Sequence, residues 1–286
     1  MTEPPRTADG YGSSALADPR LSRRLGIVLL GVVIAVPLLA SAGLLDGDLV
    51  DARSLAASGR FLAGFWPPAH DLPFLARVLD AAWSTIAIAT AGLAVAFLVG
   101  APLGALAAEA LSRRRRGRYD DARVTLVRLP IRALLIVLRG VPELVWALLL
   151  VRLVGLGPSA GVAAVALTGT GLVGKAFAEI LDATAREPAG ALLDNGASAT
   201  GALLFGALPA GAPDLLSYLA YRWECAVRTS AVLGFVGAGG LGQEIDLALR
   251  QFDGSRVATL LLALVLLVAL ADRASTGVRR TLERDG

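Results

Sequence analysis

The chain has 286 residues, 55% of them hydrophobic and only 18% charged, with a mean hydropathy of +0.65. A soluble domain carries roughly 25% charge, so this composition excludes a soluble protein and requires an integral membrane one. The formal charge is only +3, and lone Cys225 and lone His70 exclude an intrachain disulfide, a thiolate metal cluster, an HExxH site and a Ser-His-Asp triad.

Residues 1–24 are polar, rich in Pro, Gly, Ser and Thr over the first twenty, and are expected to form a disordered cytoplasmic tail. No small-x-small site closes the following apolar block, so a cleaved signal peptide is not expected. Residues 25–80 comprise a first span, 25–44, and an extracytoplasmic connection. That connection carries Asp46, Asp48 and Asp51, then Trp66-Pro67-Pro68, and a short interfacial helix fits it. The core, 81–272, holds uncharged or weakly charged blocks near the roughly 20 residues needed to cross hydrocarbon. They predict spans at 81–108, 130–153, 160–180, 216–238 and 255–272. Residues 273–286 form a cytoplasmic tail. The expected class is therefore all-α and polytopic, with six transmembrane helices.

Arginine placement orients this arrangement. With the N-terminus inside, the inner segments hold Arg6, Arg20, Arg23 and Arg24, the run from Arg113 to Arg128, Arg186, and Arg273, Arg279, Arg280 and Arg284. The outer segments hold fewer, among them Arg53, Arg60, Arg152, Arg250 and Arg256. The Arg113–Arg118 cluster reads as a topology anchor against membrane lipids rather than a nucleic-acid patch.

The stretch 185–214 is apolar but is punctuated by Pro188, Pro209 and Pro213 and by four glycines. It predicts two short cytoplasmic helices, about 187–194 and 198–206, that meet near Gly196, with Pro209 ending the second. Inserting it as a span would place the C-terminal arginines outside.

Charges inside the spans carry the functional signal. Arg139 and Glu143 are four residues apart, which places them on one helical face. Arg222, Glu224 and Arg228 stand in another apolar segment, and Lys175 and Glu179 repeat the spacing nearer the inner interface. Ionisable groups at membrane depth face a bundle interior, a polar pathway or each other. Lys175 and Glu179 neutralise each other. The surplus guanidinium at 222–228 suits a planar oxyanion, to which its fork can donate two parallel hydrogen bonds. The glycine run from Gly234 to Gly242 lacks the strand–turn–helix context of a nucleotide site and serves close backbone approach instead. No GxxxxGK[ST] motif is present, so the chain is not itself an ATPase, and no catalytic or metal site is expected.

Four stretches now resemble a known family: LRGVPELVWALLLVRLVGLGP at 138–158, GLVGKAFAEILD at 171–182, ALLDNGASATGALLFGALP at 191–209 and YRWECAVRTSAVLGFVGAGGLG at 221–242. The chain resembles the membrane-spanning permease subunit of bacterial ABC importers, specifically the phosphonate-uptake type with a MetI-like fold. The resemblance implies a homodimer with a second permease copy, two ATP-binding cassette subunits and an extracytoplasmic phosphonate-binding protein. ATP and Mg would be used by the partner ATPase, and this chain would bind no cofactor. It further implies an ATPase-coupling site at Gly190, Ala191, Leu192, Gly196, Leu208 and Pro209. Gly190 departs from the family pattern, which has Glu there. The substrate pathway is expected at Arg139, Glu143, Arg222, Glu224 and Arg228. Phosphite, phosphate or methionine are alternative substrates, and a membrane lipid phosphotransferase using Arg222, Glu224 and Arg228 is the alternative of another class.

Overall fold

A computed structural model describes residues 19–41, 52–109, 122–184 and 186–285, all of the described secondary structure being helical. The chain divides into two compact units, 1–60 and 61–286. In the first unit, α1 spans Pro19–Ser41 and α2 begins at Ala52, running to Ala63. Of the expected disordered tail, 1–24, residues 1–18 lie outside the described residues, as does the Arg113–Arg118 anchor, whereas 19–24 form the first turns of α1.

The second unit contains α3 (Leu72–Ala107), α4 (Ala122–Gly140), α5 (Glu143–Val154), α6 (Pro158–Thr184), α7 (Arg186–Asp194) and α8 (Ala199–Ala202). A π-helical turn, Leu203–Ala207, joins α8 to α9 (Leu208–Gly234), and α10 (Gly240–Arg250) and α11 (Gly254–Asp285) complete it. The α3–α6 pair is the centre of the packing, and small residues allow its close approach. A Cβ on Gly100 would stand 2.8 Å from the Thr170 carbonyl oxygen. In a membrane such backbone proximity supplies the van der Waals contact that hydrophobic burial cannot. On the other side of α6, a Cβ on Gly171 would come within 2.7 Å of the Arg139 amide nitrogen, so α4 is seated equally tightly.

Among the described residues, four helices are long and apolar enough to cross a membrane: Leu72–Ala107, Pro158–Ala183, Ala199–Gly234 and Gly254–Leu282. The bent pair Leu126–Gly140 and Glu143–Val154 makes a fifth if it is one crossing. Four, or five with the bent pair, of the expected six spans are therefore matched among the described residues. The apolar part of α1, Gly26–Leu38, is shorter than the roughly 20 residues a crossing needs. The protein is all-α and crosses the membrane several times.

Two boundaries also move. The last helix continues unbroken to Asp285 instead of stopping at 272, because 273–284 contains no Pro and its single glycine does not terminate it. Pro209 does not end a short helix, since 199–234 is one helical run. The π turn explains this. The Leu208 N–H bonds to the Leu203 carbonyl, five residues back, so the register shifts immediately before the proline that has no N–H to give.

Buried hydroxyls fix one end of the bundle. Thr85 Oγ1 donates to the Ala81 carbonyl and accepts the Leu241 N–H at 2.9 Å, and Ser230 Oγ lies 3.0 Å from the Thr85 carbonyl. Together these bonds tie α3, α9 and α10. The glycine run makes that turn, with Gly237, Gly239 and Gly240 at positive φ, which agrees with close backbone approach.

Candidate functional site

The segment expected to couple to an ATPase, 187–209, forms a compact helical hairpin. Arg186–Asp194 forms α7 close to the expected 187–194, and Gly196 makes the turn at φ +92°, a region that L side chains rarely occupy. The Ala197 N–H reaches the Leu192 carbonyl at 2.9 Å, and Ser198 opens α8 by accepting the Gly201 N–H at 3.1 Å. Ala189, Leu193, Ala202 and Ala207 are buried between the two arms. Leu193 therefore holds the hairpin together and does not reach outward. Leu204 and Phe205, on the π turn, do face outward, and Phe205 is 79% exposed. Ala191 is exposed, and Leu192 and Leu208 are half-buried, whereas Pro209 is exposed. A side chain at Gly190 would meet nothing within 4 Å, so the missing family Glu leaves open space and no packing defect.

The expected Arg139–Glu143 face does not exist. Gly140 and Pro142 break the helix, and α4 and α5 are bent by 88°. Pro142 cannot donate to the Leu138 carbonyl, which instead receives the Trp146 indole N–H at 3.3 Å. Glu143 is left in the first turn of α5, where the helix dipole favours its negative charge. It turns to α9: Arg222 Nη2 lies 4.0 Å from its carboxylate, the two side chains being 14% and 12% exposed. Among the described residues, neither Arg222 Nε nor Glu143 Oε1 has a hydrogen-bond partner.

Two residues further along α9, and so on another face of it, Glu224 is 5% exposed and pairs with Arg228, whose side chain is 45% exposed. Its other oxygen faces Arg279 Nη2 of α11 at 3.8 Å. The structure thus forms two groups on different faces of α9, Arg222 with Glu143 of α5 and Glu224 with Arg228. It adds Arg279, which the sequence reading placed in a tail. Four residues earlier on the same helical face, the buried Ser275 hydroxyl donates to the Ala220 carbonyl, a contact that only the packing of α9 and α11 shows. Arg139 lies apart from this set. It lines a cleft between α4 and α6 with Arg132, Lys175 and Glu179. Lys175 and Glu179 pair at 3.1 Å on an exposed surface, as the spacing predicts.

Carboxylates buried against a surplus of guanidinium can hold arginines in fixed orientation, and Arg228, though paired with Glu224, remains half-exposed. Among the described residues no group of three or more His, Cys, Asp or Glu is placed to hold a metal.

The family described as binding-protein-dependent transport system inner membrane component matches residues 100–284. The chain belongs to that family. It is a transport permease subunit of this family and not the ATPase, which removes the phosphotransferase alternative. A putative phosphite transport system permease protein of Stutzerimonas stutzeri is 35% identical over 219 residues, covering 77% of this chain and 73% of that one. A phosphite transport system permease protein of the same organism is 41% identical over 149 residues, covering 52% and 54%. Among solved structures, an inward-facing methionine ABC transporter matches with a TM-score of 0.61 at 23% identity, covering 74% of this chain and 99% of that one. That likeness establishes a shared fold.

Proposed function

We propose that this permease subunit carries a small phosphorus oxyanion inward, with phosphite favoured over the phosphonate expected from sequence. The names of the two relatives in Stutzerimonas stutzeri support that order. Methionine rests on fold likeness alone.

The observation that carries the mechanism is the unbroken helical run Ala199–Gly234. Its first turns belong to the coupling hairpin, and its middle bears Arg222, Glu224 and Arg228. A push on the exposed Leu204–Phe205 edge therefore reaches the charged segment through one rigid element. The assembly is two permease copies, two ATPase subunits and an extracytoplasmic binding protein. Closure of the ATPases on ATP would open the permease outward, and hydrolysis would return it inward. The oxyanion passes Arg228 and Arg222, while Glu224 and Glu143 keep those guanidinium groups from trapping it. Binding that is too strong would stop transport, so partial neutralisation is useful. In this reading α1 supplies a sixth crossing, with Arg20, Arg23 and Arg24 inside, and both ends of the chain are cytoplasmic.

The test is ATP-dependent uptake by the reconstituted complex in proteoliposomes, comparing phosphite, methylphosphonate, phosphate and methionine. Phosphite uptake above the other three supports the reading. Methionine uptake above every phosphorus compound rejects it.

A further inference from the structure

The cleft between α4 and α6 has a volume of about 240 Å³ and contains three lining cations, only two of which have partners. Arg132 donates to the Ala107 carbonyl from Nε at 3.2 Å and Nη2 at 2.9 Å, and pairs with Glu109 at 3.1 Å. Lys175 pairs with Glu179 at 3.1 Å. Arg139 has no ion pair or hydrogen bond among the described residues, and its Nε is buried and unsatisfied. An unpaired guanidinium N–H in a sheltered site favours entry of an acceptor, and an oxyanion with two oxygens fits its fork.

The depth of the cleft restricts the source of that oxyanion. It lies where α3 ends at Ala107 and α6 nears its end at Thr184, so it sits at the level of the headgroups on that face of the membrane. Asp182 closes this end by accepting the Glu109 N–H at 2.7 Å. From the mouth, exposed Ile136 and Val137 continue as an aliphatic strip along α4. A phosphate with acyl chains can use both features, whereas a free ion uses only the arginine. Glu179, paired with Lys175, and Asp182, which accepts the Glu109 N–H, keep further lone pairs on the α6 wall that oppose a purely anionic head and suit an ammonium beside the phosphate.

We propose that this cleft seats the headgroup of an ethanolamine phospholipid, the phosphodiester on Arg139 and the ammonium against Glu179 and Asp182. Arg139 then belongs to a lipid site and not to the substrate pathway.

The test uses the intact complex of permease and ATPases, delipidated and returned to vesicles of phosphatidylethanolamine, phosphatidylcholine or phosphatidylglycerol. Lipid retained after washing is measured by mass spectrometry. Wild type is expected to retain phosphatidylethanolamine best, and Arg139→Gln to lower that retention by about tenfold, the scale of a lost charge-assisted hydrogen bond. Arg139→Lys should retain an intermediate amount. Glu179→Gln, at an exposed position that does not threaten folding, should narrow the preference for phosphatidylethanolamine over phosphatidylglycerol. Equal retention of the three lipids by wild type overturns the proposal. So does an unchanged preference in Glu179→Gln, or competition by millimolar inorganic phosphate, which would assign the cleft to a free oxyanion.

Discussion

Arg279, near the end of the last helix, lies 3.8 Å from Glu224 in the middle of α9, on the side of that carboxylate opposite Arg228. One buried anion thus serves two cations from different helices. Glu224 Oε2 and Arg279 Nε each lack a hydrogen bond. The pair is close enough to attract and too far apart to bond, so a small relative movement of α9 and α11 would tighten or release it.

A double-mutant cycle on Glu224→Gln and Arg279→Gln should therefore show coupling. Removing Glu224 alone leaves Arg228 and Arg279 facing each other without a counter-ion, which costs more than removing both members of the pair. Thermal unfolding of the purified complex should give a coupling energy of about 0.5–3 kcal/mol. Strict additivity would mean the two residues do not interact.

Gly196→Trp should uncouple the hairpin. The φ of +92° there disfavours any L side chain, by about 1–2 kcal/mol for the left-handed conformation alone. Ala197 would then lose its bond to Leu192. Expression in the membrane should persist, while ATPase copurification falls sharply. Gly190→Glu, which enters open space, should leave copurification at or above wild type.

Phe205→Ala should weaken ATPase stimulation without harming the permease fold. Its ring is 79% exposed, so truncation removes little internal packing. Stimulated hydrolysis in the assembled complex is the readout, with unfolding temperature as the control. Normal stimulation would place the docking surface elsewhere on the hairpin.

Gly171→Val should damage folding itself. A Cβ there would stand 2.7 Å from the Arg139 amide and 2.8 Å from the Leu135 carbonyl oxygen, and backbone cannot move aside cheaply. Overpacking of this kind costs about 1–3 kcal/mol or more. The yield of folded protein in mild detergent should drop, and a wild-type melting temperature would contradict the α4–α6 packing.

Topology is tested in a background lacking Cys225. Leu55→Cys should react with an impermeant external thiol reagent, whereas Arg115→Cys and Arg280→Cys should be protected. External reaction at 280 would reject the proposed orientation and, with it, the sixth crossing.

Much of the fold was legible because its cause is local. Long apolar blocks announced α3, α6, α9 and α11, and Gly196 announced the hairpin turn. The bend at Gly140–Pro142 was visible as composition, yet i,i+4 spacing was still applied across it, and that placed Arg139 beside Glu143 wrongly. Periodicity holds only inside one helix, and a proline that breaks the hydrogen-bond ladder redirects every face beyond it. Pro209 misled in the opposite sense, because a π turn absorbed it. Arg279 was not legible at all, since its partner Glu224 comes from a helix distant in sequence and only packing brings the two together. The coupling residues were assigned by resemblance to a family, and it took the structure to show that Phe205 beside them reaches outward while Leu193 is buried.

The central claim, that α9 links ATPase docking to an arginine-lined oxyanion path, is tested most directly by the initial rate of ATP-dependent phosphite uptake in Arg228→Gln. Arg228 is the half-exposed member of the set, so its loss spares the buried Glu143–Arg222 pair. Complexes matched for assembly and basal ATP hydrolysis should show uptake reduced by about tenfold, the scale of one lost charge-assisted hydrogen bond. Wild-type uptake across the substrate range, in such matched complexes, would contradict the account.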